Sequence, residues 1–119
     1  MRSFFTTNRI LFVHFILLLS ISARAQHPST QSEIVVQVMG LTSAERDAIN
    51  RDLRSDQAIQ LVYACVPAGL LVFKSRVAMQ ASELLAATLS VARERVNAAR
   101  IAPTELQRAH AEAQCAAQR

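Results

Sequence analysis

EIVVQVMGLTSAER, residues 33 to 46, is the stretch on which the reading of the fold turns. Its first half places Ile34, Val36 and Val38 on one side and Val35, Gln37 and Met39 on the other, the period-2 pattern of a mostly buried strand. Gly40 ends the run. Thr42 and Glu45 then stand in the S/T-x-x-E spacing of a capping box, in which the hydroxyl accepts from the N3 amide and the carboxylate reaches back to the N-cap amide. A helix is therefore expected over 43–54, burying Ala44, Ala48, Ile49 and Leu53 and exposing Asp47, Arg51 and Asp52.

Working downstream, AIQLVYAC (58–65) follows a break at Ser55 and Asp56. Strict alternation would put Ile59, Leu61, Tyr63 and Cys65 on one face of a second strand and Ala58, Gln60, Val62 and Ala64 on the other. Pro67 and Gly69 supply turn chemistry, and LLVFK (70–74) completes an antiparallel hairpin. A long helical pattern spans 77–96, with Leu85, Leu89, Ala92 and Val96 at helical spacing beside Val77, Ala81, Leu84, Thr88 and Val91. VNAARI (96–101) reads equally as helix or as a short edge strand. Pro103 suits the first turn of a last helix over 103–118, whose apolar face is thin: Leu106, Ala109, Ala113 and Ala116.

Upstream, MRSFFTTNRILFVHFILLLSISARA has a basic start, an apolar run from Ile10 to Ile21 and a small-x-small site at 23–25, the three parts of a secretory signal cleaved after Ala25. The run is about a dozen residues against the roughly 20 that span a bilayer, so no membrane span is expected after cleavage. QHPSTQS (26–32) is a polar flexible leader, and 33–119 is a single domain. Cleavage removes Arg2, Arg9 and Arg24 from the 13 basic residues, leaving ten against nine acidic ones and a net charge of +1. Neither that charge nor the two remaining aromatics, Tyr63 and Phe73, supports nucleic-acid binding.

A domain this small has a marginal core and needs further support. Cys65 and Cys115, 50 residues apart, both lie in the exported part, and in an oxidising compartment they most simply form one disulfide tying the last helix to the hairpin. Closing that loop contributes about 4 kcal/mol in the chain-entropy model. A free thiol pair is the alternative.

Strand, helix, hairpin, helix and possible strand is the split βαβ order. With it, the region from about Glu33 to Ile101 resembles a heavy-metal-associated domain. Gly40, Leu41 and Thr42 match the G-M-T of that family's G-M-T-C-x-x-C loop, but Ser43 and Arg46 stand where the two cysteines belong. The resemblance implies an α+β, ferredoxin-like βαββα(β) sandwich, helices on one face of the sheet; the additional C-terminal helix with Cys115 lies beyond the usual domain and departs from it. It also implies a loop without its metal chemistry, since a hydroxyl is a poor soft-metal ligand and a guanidinium repels the ion.

The candidate binding loop is Gly40, Thr42, Ser43 and Arg46. An alternative soft-metal set is Met39, Cys65, His110 and Cys115, with His27 in the leader. Ser43 has no nucleophile elbow and no marked acid or base partner, so neither catalysis nor a cofactor is expected. The expected function is a non-enzymatic interaction module of the periplasm, meeting a protein or small ligand through the loop or the open face of its sheet. A periplasmic metal-binding or metal-resistance protein is the alternative.

Overall fold

A central strand, β1 (Glu33–Val38), pairs antiparallel with β3 (Leu70–Ser75) on one side and with β4 (Ile101–Pro103) on the other. β2 (Ile59–Cys65) adds to the far side of β3, giving a four-stranded antiparallel sheet in the order β2-β3-β1-β4. Three helices complete the α+β chain: α1 (Ser43–Leu53) after β1, α2 (Ala81–Arg93) after β3, and α3 (Arg108–Ala117) after β4. The structure, a computed structural model, describes residues 33–119; the expected signal segment 1–25 and the leader 26–32 with His27 lie outside them.

The sheet is covered on both faces. On the first, Ile34, Val36 and Val38 of β1, Leu71 and Phe73 of β3, and Ile59 of β2 pack with Ile49 and Leu53 of α1 and Leu84 of α2. On the second, Val35, Leu70, Val72 and Cys65 pack with Ala111 and Cys115 of α3, with Tyr63 and Leu106 at the margin. Helices were expected on one face only. Because β1 and β3 are apolar at nearly every position, their second face would otherwise leave a contiguous apolar surface in water, and α3 closes it.

β2 departs from the expected alternation. Leu61 pairs with Phe73 and Tyr63 with Val72, so Val62 is an extra residue and the strand carries a β-bulge there. Ile59 and Leu61 accordingly belong to the first core, whereas Tyr63 and Cys65 turn to the second. A strand of unbroken period would have put all four on one face.

The fourth strand exists but lies later than 96–101, behind a 3-10 turn at Ala98–Arg100. Pro103 is its last residue rather than the start of a helix. Thr104 N and the Arg100 carbonyl bond to β1 on either side of the Val36–Pro103 pair, so Pro103 occupies a non-hydrogen-bonded position where its missing N–H costs nothing. The last helix begins at Arg108 instead of 103, because Thr104 N and Oγ1 both donate to Val35 O, at 3.2 and 2.9 Å, and prolong the extended backbone.

α1 starts and caps as expected and buries Ile49 and Leu53, but Ala44 in its first turn is exposed, Ala48 is only partly buried, and Asp52, expected in solvent, is partly buried. α2 is shorter than 77–96: Glu83 Oε2 accepts from the Gln80 amide at 3.4 Å and starts the helix, leaving Val77 outside it and half exposed. Its buried stripe is Leu84, Thr88 and Ala92, with Leu85 and Leu89 beside it only partly covered. Arg95, just past α2, grips Asp52 of α1 through two bonds of 2.7 and 2.8 Å and fixes the two helices side by side.

Two substitutions probe this layout. Gly69 turns the hairpin at φ +66° with its carbonyl accepting from Val38 N at 2.7 Å, and an added Cβ would collide with the Val38 carbonyl oxygen. Gly69→Ala should therefore lower the urea-unfolding free energy by about 2–3 kcal/mol. Thr88 is fully buried and its Oγ1 has no hydrogen-bond partner. Thr88→Val keeps the shape, removes the orphaned hydroxyl, and should raise stability by about 1 kcal/mol in the same measurement.

Candidate functional site

The turn from β1 to α1 uses Gly40 at φ +64°, a conformation glycine adopts without strain. Thr42 Oγ1 then accepts from Glu45 N at 3.1 Å, and Glu45 Oε2 accepts from Thr42 N at 3.0 Å, the expected capping box. The backbone turn presents the Met39 and Gly40 carbonyls to the same place. One side chain takes them all.

That side chain is Arg100, at the end of the 3-10 turn before β4. Its Nε donates to Met39 O at 2.8 Å and its Nη2 to Gly40 O at 2.7 Å. The same guanidinium holds the Glu45 carboxylate in a fork, Nη1 to Oε1 at 2.8 Å and Nη2 to Oε2 at 3.0 Å. Met39 N in turn donates to Arg100 O at 2.9 Å, so backbone and side chain of Arg100 tie the loop from both sides. Planarity and multiple donors make arginine suited to such a cluster of oxygens, where lysine would supply only a point charge.

The four loop residues singled out from sequence have separate fates. Gly40 and Thr42 shape the turn and the cap, Ser43 is exposed in the first turn of α1, and Arg46 Nε donates to Asp47 Oδ1 at 2.9 Å on the outer side of the helix. The loop thus surrounds a permanent internal cation with oxygen acceptors only. A soft metal ion needs sulfur or imidazole donors and would meet the guanidinium's charge, so this donor set does not fit the ion that the family's loop carries. Nothing local in the sequence marks Arg100, which lies 55 residues from Glu45; only the fold brings the pair together.

The alternative set is also dispersed in role. Cys65 and Cys115 are bonded to each other with their Cα atoms 5.9 Å apart, Met39 is 60% exposed beside the Arg100 cluster, and His110 is exposed on α3. Among the described residues no three His, Cys, Asp or Glu side chains group as metal ligands.

Two grooves lie on the surface of the described residues. The outer edge of β2, at Leu61 to Ala64, forms a shallow groove with Arg46, Asp47 and Asn50 of α1. Its start is blunted: Asp56 Oδ1 accepts from the Ala58 and Ile59 amides at 2.7 and 3.0 Å, while Arg76 Nε donates to Ile59 O at 3.4 Å. The second surface runs along α2, where Ser82, Leu85, Ala86, Leu89 and Arg93 line a groove that continues past Ser82 and Leu85 to Ile34, Pro103 and Thr104. It is apolar at its floor and polar at its rim, and Pro103 and the three-residue β4 deny it a usable strand edge.

Comparison with protein-family models, curated proteins and solved structures returns no match. No helix among the described residues is long and apolar enough to cross a membrane.

The hydrogen bond from Arg100, and after it that from the Thr42 amide, lowers the Glu45 carboxyl from its ordinary 4.5 to about 2. The folded value lies below the unfolded one, so the stabilisation is complete above pH 4.5 and is lost as pH falls toward 2. In a pH series of urea unfolding, Glu45→Gln should be less stable than the parent at neutral pH. The difference should shrink through that window and vanish at its acid end. Parallel curves would show that the pair does not govern acid stability.

Proposed function

We propose that this chain is a small exported, non-enzymatic interaction module of the periplasm. Its frame resembles a heavy-metal-associated, ferredoxin-like domain, with an internal arginine bonded to the turn that leads into Ser43 and Arg46, the two positions where that family has its cysteines. The observation that carries this reading is the Arg100 guanidinium bonded to Met39 O, Gly40 O and the Glu45 carboxylate. It leaves the loop with its turn and cap but without capacity for a soft ion. Support for the frame comes from the strand order and from α1 and α2 lying on one face of the sheet, an arrangement that accords with the split βαβ plan. Support for export comes from the signal-like start of the sequence together with the disulfide, which belongs to oxidising compartments.

Both surfaces first expected to meet a partner are occupied from within, the loop by Arg100 and the second sheet face by α3. Among the described residues, the groove along α2 is an apolar surface open to a protein or small-ligand contact, since Leu85 and Leu89 are only partly covered there.

The test is native mass spectrometry of the protein purified from the periplasm, before and after incubation with Cu(I) or Zn(II), with thiol alkylation in parallel. The expected species begins at Gln26, takes up no alkylating agent and carries no metal. A stoichiometric metal adduct with alkylatable thiols would instead favour the metal-binding reading through Met39, Cys65, His110 and Cys115.

A further inference from the structure

We infer that α3 is a redox-latched cover: its place on the second face of the sheet depends on the Cys65–Cys115 bond, and reduction releases it while the rest of the domain stays folded. α3 has ten residues, fewer than the roughly 12–15 at which an isolated helix becomes even marginal in water. Its N-cap, Gln107, makes no side-chain capping bond, and it has no acidic residue in its first turn and no basic one in its last, so its dipole is uncompensated. It buries two side chains, Ala111 and Cys115, and one of those is the cysteine that makes the bond.

The other ties are weak. Arg108 reaches Glu33 at 3.6 Å but is also held by Glu112 within the helix at 2.9 Å, and Leu106 packs before the helix begins. The body of the domain does not share this dependence. The first core draws on β1, β2, β3, α1 and α2 and contains no residue of α3.

Both cysteines are 2% exposed, so a reductant cannot reach the sulfurs in the closed state. Cys115 lies two residues from the end of α3, however, where helices fray, and fraying uncovers the bond. A small dithiol then attacks as thiolate through a mixed disulfide. The protein gains two electrons and two protons as the Cys65 and Cys115 thiols, and the dithiol closes to its own disulfide. The released helix pivots beyond Thr104, which stays bonded to Val35 O through both N and Oγ1. What it uncovers is an apolar strip of Val35 on β1, Leu70 and Val72 on β3 and Tyr63 on β2.

Hydrogen exchange on the full mature chain tests this, comparing the oxidised protein, the same protein in excess dithiothreitol, and Cys115→Ser without reductant. In both thiol forms the amides of 111–117 should exchange about 100-fold faster or more. Trypsin should cut readily after Arg108, while amides of β1, β3 and α2 keep their protection. Retained protection in α3 would overturn the proposal, because the helix would then hold without its bond. Loss of protection throughout the chain would overturn it equally, because cover and body would be one cooperative unit.

Discussion

Between Leu61 and Tyr63 the ladder joining β2 to β3 takes in one residue too many, and the side-chain alternation of β2 reverses there. The first half of the strand aims Ile59 and Leu61 at α1 and α2; the second half aims Tyr63 and Cys65 at α3. In a regular strand Cys65 would share a face with Ile59, six residues earlier, and would point into the first core. Cys115 lies beyond the opposite face. The disulfide, the seating of α3 and the closure of the second face all follow from Val62 being accommodated as a bulge.

The resulting molecule has two cores of unequal strength separated by the sheet. The first unites two helices and three strands around Phe73, Ile49, Ile59 and Leu84, and its packing is of the ordinary hydrophobic kind. The second is thin on the helical side, since Ala111 contributes a methyl group and Cys115 a sulfur. For such a layer a covalent bond does what apolar area does elsewhere. It restricts the unfolded chain and holds in place a helix that buries little of its own surface.

Electrostatics at the other end of the sheet serve a similar purpose. A glycine turn that exposes two carbonyls, followed by a capping carboxylate, would leave a negatively polarised pocket at the loop. Arg100 fills it from the end of the 3-10 turn before β4 and thereby holds the start of the short edge strand near the end of β1. The pair is only partly buried, with the Glu45 and Arg100 side chains 20% and 33% exposed, so solvent screening keeps its contribution to stability modest. The oxygen acceptors of the turn are thereby taken up by a charge the chain carries itself.

Much of the architecture was readable in the residues. The strand opening at Glu33, the Thr42–Glu45 box, the Pro67–Gly69 turn and the pairing of Cys65 with Cys115 each rest on local chemistry or on elimination, and each stands in the structure. What failed were statements needing distant partners. The bulge at Val62 exists because β3 sets the register, α3 covers the second face because β1 and β3 are apolar on both sides, and Pro103 ends a strand because Val35 captures Thr104. The candidate loop was recognised as a turn, yet Arg100 was not, because an arginine among alanines at 98–100 has no local mark of its role. The sequence by itself determined the order of elements from β1 to α2, since these depend on neighbours a few residues away. Only the tertiary structure decided where the chain turns to β4 and α3, which face each side chain serves and which charge meets which, because those are set by partners outside the local segment, such as β3 for β2 and Glu45 for Arg100.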